Sequence, residues 1–61
     1  MSKRIKALRE GTGMTQVALA KRARITQPYL AQLEGGKRTG TVAVLKRLAK
    51  VLGVSIADLV E

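Results

Sequence analysis

Two threonine–glutamine pairs, Thr15-Gln16 and Thr26-Gln27, stand eleven residues apart in this chain, and a further glutamine, Gln32, follows the second. A primary amide carries donors and an acceptor on one planar group. A glutamine can therefore pair with the N6 and N7 edge of adenine, a contact worth about 1–3 kcal/mol of discrimination. Close by, Gly35-Gly36-Lys37-Arg38-Thr39-Gly40 sets two cations on a glycine-flanked tip, where they can reach phosphates without reading sequence. Bond-making chemistry finds no support. The chain has no Cys and no His, which excludes disulfides and thiolate or imidazole metal sites. Four acidic residues are too few and too scattered for calcium. The two serines, Ser2 and Ser55, read as helix starts, and no glycine-rich phosphate loop leads into a helix with a lysine at the required spacing. No catalytic residue, cofactor or metal is expected.

The elements that must carry these residues have to fit into 61 residues, read as one domain over 1–61. A domain of this size buries only about 60% of the surface its unfolded chain exposes, so it must pack efficiently or lean on a partner. Twelve Lys and Arg against four Asp and Glu give a net charge of +8. The natural counter-surface is polyanionic, and nucleic acid fits it best, with an anionic membrane as the competitor. No apolar run approaches the eighteen or more residues of a spanning helix. The start, MSKRIKALREG, has basic residues but no following apolar region or cleavage site of a secretion signal.

Helical spacing predicts five helices and no strand, at about 2–10, 16–23, 27–34, 42–52 and 56–60. The first is capped by Ser2, carries Ile5, Leu8 and Arg9 on one face, and is expected to stop at Gly11. The second opens on Thr15 and the third on Thr26, each threonine serving as N-cap. Met14 with Leu19, and Ile25 with Leu30, are spaced as hydrophobic staples. Two stapled helices joined by a short turn form a helix-turn-helix, whose second helix enters the DNA major groove. At about 100° per residue, Leu30 and Leu33 share one side of that second helix, and Gln27, Pro28, Ala31 and Gln32 share the other. An outward face with neither charge nor large apolar groups is unusual in so basic a chain and suits entry into a groove. Leu45, Leu48, Ala49 and Leu52 give the fourth helix the cleanest apolar stripe. Its outer cations Lys46, Arg47 and Lys50 are not assigned to DNA, and Lys3, Arg4 and Lys6 are left open. Ser55, Asp58, Val54 and Leu59 mark the start of the fifth.

The pattern Leu8-Arg9-Glu10, Met14-Thr15-Gln16, Leu19-Ala20, Gln27, Leu30, Gln32, Glu34, Gly36-Lys37-Arg38, Leu45, Leu48-Ala49, Leu52-Gly53-Val54-Ser55, Asp58-Leu59 resembles the Cro and phage-repressor (XRE) helix-turn-helix family. The resemblance covers nearly the whole chain and includes polar positions that packing alone would not demand. It implies a compact all-α, lambda-repressor-like domain of five helices that binds operator DNA as a dimer. Carried over residue by residue, it implies that Gln16 holds a backbone phosphate and that Gln27, Pro28 and Gln32 face base edges. Thr26 and Tyr29 would lie near the flanking phosphate, Lys37 and Arg38 would meet phosphates beyond the third helix, and Arg9 would pair with Glu34. Glu34 is the only acid near the reading helix, and its helical angle places it toward the core edge beside Leu30. Two positions depart from the pattern. Arg24 stands where glycine is common, so either the turn tolerates a left-handed cost of roughly 1 kcal/mol or Arg24 meets a phosphate. Gly40 stands where proline is common, which should loosen the loop.

The expected function is a sequence-specific regulator, a repressor in the first instance, acting as a homodimer on half-sites about 34 Å apart. Assembly of that dimer only on DNA stays open. Ile56 and Val60 are the proposed dimer face. The expected setting is the nucleoid of a bacterial cytoplasm, in a bacterial or phage-encoded protein. Three alternatives remain: an antitoxin or bridging factor of the same fold working through protein contacts, a basic module that binds nucleic acid without reading it, and a membrane-surface binder.

Overall fold

In the computed structural model the described residues run from 2 to 59, with side chains from 3 onward. Four helices, α1 (Ser2–Gly11), α2 (Gln16–Arg22), α3 (Gln27–Glu34) and α4 (Val42–Leu52), are followed by a 3-10 turn, Ile56–Asp58. No strand occurs among the described residues. The Ser2 cap and the assignment of Val60 lie outside the described side chains.

Three helices open on the same chemistry. The hydroxyl oxygens of Thr15, Thr26 and Thr41 accept from the backbone N–H of Ala18, Tyr29 and Val44 at 3.1, 3.2 and 3.2 Å. Each bond satisfies a first-turn donor that the helix itself cannot. Met14 and Ile25 pack against the core just ahead of the first two caps, as the staple spacing requires. One apolar cluster draws on every element. Ile5, Leu19, Leu30, Leu33, Leu48 and Leu59 are fully buried, and Ala20, Ala23 and Ala49 are buried with them. In this core α2 packs on both α3 and α4.

The bounds of α3 and α4 fall where the sequence places them, but two local expectations need correction. The fifth helix is a 3-10 turn. Asp58 N–H donates to Ser55 O at 3.0 Å and Leu59 N–H to Ile56 O at 2.9 Å, both i→i+3 bonds. Such a turn eclipses residues three apart, which carries Ile56 and Leu59 toward the core together. Gly11 is still helical, and the left-handed residue that ends the first connection is Gly13, at φ +78°. Gly40 has a packing reason of its own. Its φ is +72°, closed to proline, and a Cβ there would sit 3.1 Å from Leu33 Cδ2.

Candidate nucleic-acid interface

The two faces of α3 separate cleanly. Leu30, Leu33 and Glu34 are buried, whereas Gln27, Pro28 and Gln32 are exposed and Ala31 is half-buried. Glu34 is the one buried polar residue among those described, at 8% exposure. Its carboxylate is held by a bidentate contact from Arg9, with Nε to Oε2 at 2.7 Å and Nη2 to Oε1 at 3.1 Å. The third guanidinium nitrogen, Nη1, donates to Met14 O at 2.9 Å. Arg9 thus ties α1 to the end of α3 and to the residue leading into α2. The hydrogen bond to Glu34 raises the Arg9 guanidinium above its ordinary range, against burial, which lowers it.

From Glu34 the contacts run outward. Gln16 Nε2 donates to Glu34 Oε1 at 3.1 Å, and Gln27 Nε2 donates to Gln16 Oε1 at 3.0 Å. The direction of this chain is set at its buried end. An ionised carboxylate can only accept, so Gln16 must offer it the NH2 group; its oxygen then faces Gln27, which must also offer NH2. Gln27 is left with one free N–H and a free carbonyl oxygen, the donor and acceptor that pair with the N7 and N6 edge of adenine. Gln16, expected to hold a phosphate, is placed here as the half-buried link between the ion pair and Gln27, with one N–H to spare. The Gln16–Gln27 contact was not foreseen. Its signal was present, since both glutamines directly follow the caps of two packed helices.

Gln32 is in a different state. Arg38 Nε donates to Gln32 Oε1, and the Arg38 guanidinium lies 5.5 Å from the centre of the Tyr29 ring. The aromatic face attracts the cation and helps hold it there. The Gln32 oxygen is therefore engaged, and its NH2 donors remain. Arg38 is not the free arm that its place on a loop tip suggested. Tyr29, Lys37, Arg38 and Thr41 belong to the lining of a cleft of about 420 Å³ between α3 and the start of α4. Lys37 and Thr26 are exposed. The cleft joins the two cations Lys37 and Arg38 to the hydroxyls of Tyr29, Thr39 and Thr41, a set suited to phosphate oxygens.

Arg24 has φ +60°, the left-handed conformation foreseen for it. Arg47 departs from its expected place on the outer face of α4, since it is half-buried and its Nε donates to Ala23 O at 2.8 Å. No group of three or more metal-ligating side chains is found among the described residues, and no helix there is long and apolar enough to cross a membrane.

Comparison with known proteins agrees with this geometry. An HTH-type transcriptional regulator of Sinorhizobium fredii, y4dJ, is 45% identical over 53 residues, covering 87% of this chain and 69% of its own. The immunity repressor protein of Bacillus phage phi105 is 33% identical over 60 residues, 98% of this chain, which spans 42% of the repressor's length. Among solved structures, the biofilm master regulator SinR, determined in complex with DNA, superposes with a TM-score of 0.91 at 30% identity, covering 98% of this chain and 100% of that one. The restriction-modification controller protein C.AhdI from Aeromonas hydrophila also gives 0.91, at 26% identity, over 95% of this chain and 88% of the other. The helix-turn-helix family profile matches residues 5–59, so this chain, with its capped and stapled α2 and α3, belongs to the helix-turn-helix family of the phage-repressor (XRE) type.

Proposed function

We propose that this chain is a sequence-specific DNA-binding regulator of transcription, and that α3 enters the major groove with Gln27, Pro28 and Gln32 toward the base edges. The observation that carries this reading is the amide of Gln27, aimed outward by a hydrogen-bonded chain that begins at a buried ion pair. A side chain held from behind meets a base at a smaller entropic cost than a free one. The two glutamines then read differently. Gln27 offers a donor and an acceptor, which suits adenine. Gln32, with its oxygen occupied by Arg38, offers donors, which suit the O6 and N7 of guanine or the O4 of thymine. Pro28 offers van der Waals contact, for example to a thymine methyl. Thr26, Tyr29, Lys37 and Arg38 grip phosphates on either side, and Gln16 has one N–H left for the same use.

The chain acts as a repressor and binds a palindrome as a homodimer, with half-sites about 34 Å apart. The names of a phage immunity repressor and of a regulator solved on DNA support the first part of this reading. Ile56 packs partly into the core, so it gives a second copy only part of its surface. The exposed large apolar residues among those described are Val17 and Val42, on separate helices. They do not form the broad apolar patch that a partner-binding antitoxin would need.

Selection from random duplex DNA followed by sequencing tests the reading. The expected result is enrichment of a short palindrome with adenine at the position facing Gln27. Recovery of duplexes with no shared sequence would overturn it.

A further inference from the structure

Arg24 occupies a conformation that costs an L-residue free energy and costs glycine almost none. Strain of this kind persists where the surroundings enforce it, and such positions cluster at functional sites. Arg24 is also one of four cations lining a second cleft, of about 390 Å³, together with Arg22, Arg47, Lys50 and the half-buried Val51. The cleft lies between the end of α2 and the flank of α4. Its inner edge is fixed, because Arg47 Nε donates to Ala23 O at the close of α2. No acidic side chain lines it. Of the described acids, Glu34 is paired with Arg9, Asp58 accepts from Ser55, and Glu10 lies on α1. Cations near the C-terminus of a helix offset its partial negative charge, and Arg22 and Arg47 are enough for that. The helix end does not require Arg24 to hold a strained backbone, or Lys50 to complete the ring.

We propose that Arg22, Arg24, Arg47 and Lys50 form a second phosphate-binding site, which grips the DNA backbone beyond the base pairs that α3 reads. This deepens the function proposed above and rests on it. DNA is favoured over an acidic protein by position. Arg24 precedes the Thr26 cap by two residues, so the cleft adjoins the leading end of α3, whereas Lys37 and Arg38 lie past its trailing end. A duplex seated on Gln27 continues past Arg24. The two clefts therefore bracket the reading helix, and the second meets phosphates flanking the half-site.

The test compares two duplexes carrying the selected sequence, one trimmed at its ends and one extended by about ten base pairs on each side, a full helical turn. Affinity is measured by fluorescence anisotropy over a range of salt. The wild-type protein should bind the extended duplex at least about tenfold tighter, with a log–log salt slope steeper by about 2, since each phosphate neutralised adds roughly 0.9. Arg24→Gly and Lys50→Gln should each lose about half of this gain, with the salt slope falling by about 1, while keeping base preference on the trimmed duplex. Arg24→Gly should also melt at a higher temperature, because the strain is gone, so its weaker binding cannot come from unfolding. Equal affinity of the wild type for both duplexes would overturn the proposal, as would a length gain that survives both substitutions. Binding of poly-glutamate that the two substitutions abolish, with the length gain intact, would assign the cleft to an acidic protein instead. A length gain that these variants lose, in a protein showing no sequence preference, would keep the cleft and overturn the base-reading function.

Discussion

Helices α3 and α4 begin alike and serve opposite ends. Each opens on a threonine whose hydroxyl accepts a first-turn N–H at 3.2 Å, and each buries leucines at helical spacing. Behind α4 lies an apolar stripe, Val44, Leu45, Leu48, Ala49 and Leu52, while Lys46 and Lys50 face solvent. Behind α3 the apolar contact of Leu30 and Leu33 is joined by the directional chain Arg9–Glu34–Gln16–Gln27, and the outward face carries no charge. Apolar burial is non-directional and stabilises without aiming anything. Hydrogen bonds depend on angle and fix where an amide points. In a chain of net charge +8, the function proposed above assigns selectivity to the uncharged patch and affinity for any sequence to the cations around it.

That contrast can be broken most severely at Glu34. Glu34→Ala leaves the Arg9 guanidinium without its carboxylate and is expected to cost about 3–5 kcal/mol of stability in denaturant unfolding. The raised Arg9 contributes its share at any pH below the ordinary arginine range and loses it only as pH climbs through the raised value. Unfolding repeated at about pH 9 should therefore show the same loss. Next comes Leu48→Ala in the apolar stripe, expected to cost about 2–5 kcal/mol. Its folded fraction, assayed in the cold, should keep the wild-type base preference, since nothing that aims α3 has changed. Gln32→Ala reverses the pattern. Stability should stay within about 0.5 kcal/mol, while binding to the best site falls by about 1–3 kcal/mol and preference relaxes at one base pair. Lys37→Ala should have the smallest effect, weakening all sequences alike and flattening the salt slope by about 1.

Most of the scaffold was legible from the chain because its signals are local. A threonine cap, a staple and a leucine stripe define α3 and α4 within a few residues of sequence. The Arg9–Glu34 pair is implied by family resemblance and by the angle of Glu34 on its helix, not by local spacing. The contacts that were missed join side chains across helices. Gln16 to Gln27, Arg38 to Gln32 and Arg47 to Ala23 O depend on how far apart two elements pack and which rotamers reach across. No periodicity reports that. The last element was misjudged for a related reason. A capping box is shared by α-helical and 3-10 starts, and joint burial of Ile56 and Leu59 suits either; only the i→i+3 bonds of Asp58 and Leu59 N–H mark the turn as 3-10.

The central claim is that the Gln27 and Gln32 amides touch bases, and the side-chain NH2 resonances of the 15N-labelled protein report on it directly. Titration with the selected duplex should shift both amide pairs strongly. A duplex altered only at the position facing Gln27 should abolish the Gln27 shift and leave that of Gln32. Side-chain amides that stay at their free positions while the duplex binds would place the DNA elsewhere on the protein and contradict the account.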